Sequence, residues 1–241
     1  MPLRIAAFGL SHVGRVRPKN EDTLAVEPSR GIVMVADGMG GAPGGEVASA
    51  LAVQEACRGL HGGVEIRAAV AKANSKILEM ARSRPELSGM GTTLTVLHLE
   101  LETGDFRVAH VGDSRAYRFH GGELIQLTQD HTAVADMVKK GTLSPDQAED
   151  HPMSHILTRA LGTVPEPEVD LILGVAGEGD EFLLCSDGLT KVFRIRELEE
   201  RMASWKGRKP EHLVRALVDE ANQRGAPDNV TAAALLVEGD L

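Results

Sequence analysis

The spacing of apolar positions changes along the chain and marks out its elements. Residues 32–36 form a short unbroken apolar run that stops at Asp37-Gly38, the pattern of a buried strand ending in a turn. Residues 46–60 are rich in alanine and leucine and contain no proline, which predicts a helix. Residues 64–82 give a stronger helical pattern, because Ile66, Val70, Ala73, Ile77 and Met80 fall on one face. Residues 87–90 read as loop. The period then drops to two. Residues 92–99 are rich in β-branched side chains and Thr103-Gly104-Asp105 is turn-like. In 106–111, Phe106 and Val108 are expected inward with Arg107 and Ala109 outward, which completes a hairpin. Residues 116–119 and 123–127, joined by His120-Gly121-Gly122, make a second one.

Residues 132–140 predict a helix closed by Gly141. Ser144-Pro145 starts another, with the serine as cap and the proline in the first turn. Residues 171–175 and 181–185 read as strands. The stretch 197–200 reads as the solvated face of a helix, 210–224 as a helix with Leu213, Leu217 and Ala221 on one face, and 230–237 as a last buried strand. Consecutive hairpins mean antiparallel sheet, not βαβ repeats, and the helices between them could cover two packed sheets on their outer faces. No repeat, low-complexity segment or long linker divides the chain, so one domain over 1–241 is expected.

Composition narrows the classes. A chain of 241 residues, 42% apolar and 25% charged, can bury most of its apolar surface without disulfides. Cys57 and Cys185 form no Cys-x-x-Cys pair, so neither a structural zinc site nor a redox dithiol is expected; both read as small buried residues. A net charge of −9 argues against nucleic acid as a partner. It suits carboxylates clustered around cations, although like charge for solubility gives the same total. Residues 1–10 show no cleavage-site pattern and no apolar run of membrane-spanning length follows, so the expected location is the cytosol.

Five short acidic elements recur: Arg17-Pro18-Lys19-Asn20-Glu21-Asp22, Asp37-Gly38-Met39-Gly40-Gly41, Gly112-Asp113-Ser114-Arg115, Ser186-Asp187-Gly188 and Pro227-Asp228-Asn229. A lone Asp-Gly is usually only a turn. Four of these elements, however, adjoin expected strands, and aspartates at strand ends can converge on one sheet edge. Hard divalent cations take such oxygen ligands, and neighbouring glycines let backbone carbonyls approach closely.

These motifs, in this order and together with Gly91-Thr92-Thr93 and Asp130-His131, resemble the type 2C metal-dependent protein phosphatase family in its compact bacterial form, over nearly the whole chain. The resemblance implies an α+β fold, a four-layer sandwich of two antiparallel β-sheets flanked by α-helices, with a flap at about 139–162 beside a metal cleft. It implies hydrolysis of phosphoserine and phosphothreonine on proteins by in-line attack of a metal-bridging hydroxide, opposing a bacterial serine/threonine kinase. The cofactors would be Mn2+ or Mg2+, as two core ions and a weaker third. Carried over, Asp37 bridges two ions, the Gly38 carbonyl joins one of them, and Asp187 and Asp228 hold the other. Asp22 acts through water with Glu21 beside it, Asp113 shares the third ion with Asp187, and Arg17 grips the phosphate. The expected partners are phosphorylated proteins, including a eukaryote-like kinase, and the expected state is a monomer.

Two positions depart from the pattern. Met39 stands where some eukaryotic relatives have a histidine proposed as general acid, so the leaving-group proton must come from elsewhere. His12 stands where aspartate is usual, for which a local hydrogen-bonding change is expected. Arg17 could instead form a surface salt bridge with Glu21. His151 and His155 have a spacing found in zinc sites, but Pro152 intervenes and no third ligand is evident. Asp130 reads as a helix cap. Two other functions stay open: a catalytically dead phosphoprotein-binding domain, which should have lost a metal carboxylate, and a two-metal hydrolase of small phosphoesters.

Overall fold

In the computed structural model, which describes residues 2–39, 44–149 and 151–239, ten strands and seven α-helices follow one another along the chain. Two strands come first, β1 (Arg4–His12) and β2 (Asp22–Glu27), then β3 (Ile32–Asp37) and the helices α1 (Gly45–His61) and α2 (Ile66–Ser83). A meander follows: β4 (Leu94–Leu99), β5 (Asp105–Val111), β6 (Arg115–His120) and β7 (Glu123–Gln126). Two short helices, α3 (Ala133–Lys139) and α4 (Pro145–Glu149), lead to β8 (Asp170–Val175) and β9 (Glu181–Cys185). The chain ends with α5 (Asp187–Thr190), α6 (Ile195–Trp205), α7 (Pro210–Gln223) and β10 (Val230–Glu238).

The strands make two five-stranded sheets, ordered β1-β10-β9-β6-β7 and β2-β3-β4-β5-β8, with antiparallel pairing throughout. Period-2 alternation sends each strand's residues into two different cores. Val33 and Val35 face the space between the sheets with Phe106, Phe182 and Leu235, whereas Ile32, Met34 and Ala36 pack under α1 and α2. On the other sheet, Leu183, Ala232 and Ala234 pack under α6 and α7 with Leu198, Leu213 and Leu217. The result is four layers, helix–sheet–sheet–helix, as the resemblance implied. Strands buried on both faces read as unbroken apolar runs, which is why 32–36 and 230–237 stood out.

Some expectations needed correction. Ala109 points outward from the inter-sheet space but is fully buried, because α1 and α2 cover that face. Strands β1 and β2 were not foreseen. The helix cap before α3 is Thr132, whose hydroxyl accepts from Ala135 N, not Asp130. Ser144 does cap α4, accepting from Gln147 N at 3.3 Å while Gln147 Oε1 accepts from Ser144 N at 3.0 Å. Helix α2 follows the foreseen face, with Ile66, Val70, Ala73 and Ile77 buried.

Candidate active site

The acidic elements meet at one end of the sandwich. Asp37 is the last residue of β3 and Asp22 the first of β2, and the strand register sets them directly opposite one another. Asp113 lies in the turn after β5, Asp187 follows β9, and Asp228 precedes β10. Together with Arg17, they line a cleft of about 540 Å3 whose floor is Asp37 and Gly38. Asp22 opens onto no part of the cleft lining but borders Asp37 from beneath. Like charges directly opposite on paired strands destabilise a sheet unless something neutralises them.

Hydroxyls and amides hold these carboxylates in place. Asp22 Oδ2 accepts from Ser186 Oγ at 2.8 Å and from Thr231 Oγ1 at 2.6 Å, so a residue of one sheet is fixed by two of the other. Thr93 Oγ1 accepts from Asp37 N at 2.9 Å, and Thr92 Oγ1 donates to Asp37 O at 2.8 Å. The Asn229 side chain accepts from Glu21 N and donates to Val13 O and Lys19 O, which ties three chain segments around the cleft. Gly38 N donates to Glu21 O at 3.1 Å, and a Cβ on Gly38 would collide with the carbonyls of Gly45 and Glu21. Only glycine lets the backbone turn so close to the carboxylates.

Charge repulsion and burial show in the titration of the group. Burial, then the charges of Asp22, Asp187, Asp113 and Asp228, push Asp37 well above the carboxylate range. Burial raises Asp22 to about 6 against its hydroxyl bonds, and burial with Asp187 and Asp130 raises Asp113 to about 8. Asp22 and Asp37 share a hydrogen bond, which two ionised carboxylates cannot form. Asp228 behaves differently: burial would raise it, but Lys191 and then Arg17 bring it below its ordinary value.

Two cations account for that difference. Arg17 forks onto Asp228, Nε to Oδ1 at 2.8 Å and Nη2 to Oδ2 at 2.9 Å, and Glu21 is not its partner. Lys191, which sequence reading missed, lies 2.5 Å from Asp187 Oδ2 and 2.9 Å from Asp228 Oδ2. Its one sequence signal was the i, i+4 spacing to Asp187. Burial pulls its ammonium down, and the two aspartates more than reverse this, so it stays charged.

The donor set fits divalent cations. Asp22 Oδ1 and Asp187 Oδ1 are buried without a hydrogen-bond partner. Such atoms are costly unless something fills the lone pairs. Among the described residues no three His, Cys, Asp or Glu side chains form a ready-made cage for a single ion. That suits magnesium-like ions, which keep several waters and use one or two carboxylates each.

The remaining expectations sort as follows. His12 Nδ1 accepts from Gly14 N at 2.9 Å, a local turn bond of the expected kind. His151 Nδ1 accepts from Met153 N, and His155 reaches the cleft wall without it, so the pair does not converge as zinc ligands. Gly40 and Gly41 of the second motif, and Asp150 of the flap, lie outside the described residues. The flap's far end belongs to the body: Leu161 is fully buried and exchanges two backbone bonds with Thr92, and Thr158 N donates to His131 O.

Residues 8–228 match the family profile described as Protein phosphatase 2C. The chain belongs to the protein phosphatase 2C family. It is 38% identical over 241 residues to the serine/threonine phosphatase stp of Listeria monocytogenes, covering 95% of this chain and 93% of that one. It is similar to the crystal structure of the Mycobacterium tuberculosis serine/threonine phosphatase PstP, with a TM-score of 0.88 and 34% identity over 98% of this chain and 99% of that one. It is also similar to the catalytic domain of PstP in complex with two manganese ions, with a TM-score of 0.85 and 34% identity over 98% and 99% of the two chains. A member of the protein phosphatase 2C family with these relatives is a serine/threonine protein phosphatase, and metal-dependent hydrolysis is the general property of the family.

Proposed function

We propose that Asp37, the Gly38 carbonyl, Asp187 and Asp228 hold two divalent ions, Mn2+ or Mg2+, with Asp22 acting through water. The observation that carries this reading is the buried, mutually repelling carboxylate group with two unpartnered oxygens. When bound, the ions activate water for attack and neutralise charge on the phosphoryl oxygens. Arg17 positions the phosphate. Its guanidinium already stands over Asp228 at the cleft edge, and its planar fork suits two phosphate oxygens as well as two carboxylate oxygens. The Thr92–Thr93 and Ser186–Thr231 hydroxyls keep Asp37 and Asp22 in place during turnover. Met39 offers no proton to the leaving group.

The natural substrates on this reading are phosphorylated bacterial proteins, including a eukaryote-like kinase, and the enzyme works as a cytoplasmic signalling monomer. No helix among the described residues is long and apolar enough to cross a membrane. The test is turnover of a phosphothreonine peptide by chelated and reloaded enzyme. Excess EDTA should abolish activity and Mn2+ or Mg2+ should restore it. Full activity after thorough chelation sinks the metal reading, and a preference for small phosphometabolites over the peptide would replace the protein substrate by a small one.

A further inference from the structure

Lys191 closes the single turn of α5, which Asp187 opens. Four residues apart on one turn, the two side chains meet on the same face. The ammonium therefore sits on the Asp187 carboxylate and also reaches Asp228. The same cleft contains Asp113, and the charge of Lys191 acts on it. An ion shared by Asp113 and Asp187 would have to occupy the space beside Asp187 that this ammonium fills. An ammonium brings one positive charge and three donors, which serves two carboxylates without a dehydrated ion. A divalent cation placed next to it would be repelled. The opposite side of the site differs. There Asp22 and Asp37 bond with one another and with hydroxyls, and Asp22 keeps a buried oxygen unpartnered.

We propose that the Lys191 ammonium takes the place of a third metal ion beside Asp187, so that this chain works with two bound ions. The inference rests on the two-ion reading above. It makes Lys191 a positioning residue that neutralises Asp187 and Asp228 on the side facing Asp113.

The experiment counts Mn2+ ions per full-length chain by calorimetric titration and by electron paramagnetic resonance of free Mn2+ at neutral pH. Wild type should bind two. Lys191→Ala should bind three, and Lys191→Ala with Asp113→Asn should return to two. Three ions in wild type, or no third ion in Lys191→Ala, overturns the proposal while leaving the two-ion reading intact. Fewer than two in wild type overturns the two-ion reading itself, and this proposal with it. If Lys191→Ala does not fold, Lys191→Met keeps the alkyl stem, removes only the charge and carries the same count.

Discussion

Two polar clusters flank the turn after β5, and they are built from the same kinds of residue to opposite ends. On one side stand the cleft carboxylates, Asp22, Asp37, Asp113 and Asp187, crowded together and partly unpartnered. On the other, Arg115 forks onto Asp130 at 2.9 and 2.7 Å, and Arg159 donates to Asp170 at 2.9 Å. His131 Nδ1 accepts from Gly112 N, so its Nε2–H faces Asp170 at 3.2 Å. His110, fully buried, bridges Thr95 and the Gln129 carbonyl. In the second cluster each acid has a base, and burial is compensated. In the first, like charges are buried together, an arrangement that makes sense only with a cation. Both clusters perturb titration, so perturbation alone does not mark a catalytic site; lack of a partner does.

The largest expected effect breaks the first cluster. Asp37→Asn and Asp187→Asn should each lower kcat at least ~100-fold, since each removes a charged metal ligand. Because Asp37→Asn also relieves repulsion, the metal-free protein should melt no lower than wild type. A normal kcat in Asp37→Asn would falsify its bridging role. Arg17→Ala belongs to the same cleft but should act mainly on KM, and unchanged kcat and KM would remove it as the phosphate clamp.

The second cluster should give the reverse result. Arg115→Ala leaves the partly buried Asp130 without its fork and should cost roughly 2–3 kcal/mol of stability, read by denaturant unfolding. Turnover by the folded fraction should stay within about threefold of wild type, since Arg115 touches none of the cleft carboxylates by an ion pair we observe. A catalytic loss as deep as that of Asp37→Asn would erase the contrast between the clusters.

The sequence disclosed the first cluster far better than the second. Its aspartates lie in ordered motifs at strand ends, and those motifs survive as local signals. The partners in the second are joined only by tertiary structure: Arg115 and Asp130 meet across the β6–β7 hairpin, which is why Asp130 passed for a helix cap. Strands β1 and β2 went unseen for a different reason. They carry Ala, Gly and Ser among few β-branched residues and are only partly buried, so neither period nor propensity marks them. Residue Gly9 shows what propensity hides, because a Cβ there would press on Leu24 and Val26 of β2 at 2.9 Å. Lys191 was missed because its meaning depends on a turn of helix too short to show periodicity.

A milder contrast comes from pH. Asp22 titrates near 6 and Asp113 near 8 in the metal-free fold, against an ordinary value of 3.8. Between those values the native state holds more protons than the unfolded chain, so stability falls as pH rises from about 4 to about 8. His110 has the other sign. Burial, then the charge of His131, lowers it from 6.5 to about 4, so its contribution is lost as pH falls through that window. Metal-free protein should therefore melt at least roughly 3 °C lower at pH 8 than at pH 6.5, where His110 is still largely neutral in both states. Saturating Mn2+ should abolish or reverse that fall, because it favours the ionised carboxylates. An identical pH slope with and without Mn2+ would mean that the ions bind elsewhere.

The smallest effect should come from the flap, which runs between the two clusters. His155, Ile156 and Leu157 line the metal cleft, and Thr158, Arg159 and Ala160 line a separate cavity of about 550 Å3 beside the second cluster. The far end is fixed: Ala133 N donates to Ile156 O at 2.9 Å, and Leu161 pairs with Thr92. The near end, α4 and its connections, makes mostly local bonds such as Ser144 with Gln147. A segment outside the metal site can touch the peptide around the phosphoresidue without touching the reacting group, so changing it should alter discrimination more than chemistry. Replacing residues 144–150 by a short glycine–serine linker should lower kcat/KM several-fold on a phosphothreonine peptide and leave hydrolysis of a small aryl phosphate nearly unchanged, a selective effect of about 1 kcal/mol. The competing account is that Leu143, Ile156 and Leu157 merely seal the domain. Ile156 is 41% exposed, which argues against a purely sealing role for that residue. Equal losses on both substrates with a lowered Tm would support sealing. Selective loss on the peptide with Tm unchanged would place recognition in α4, on the near side of a segment whose far side is anchored to the cluster that never meets substrate.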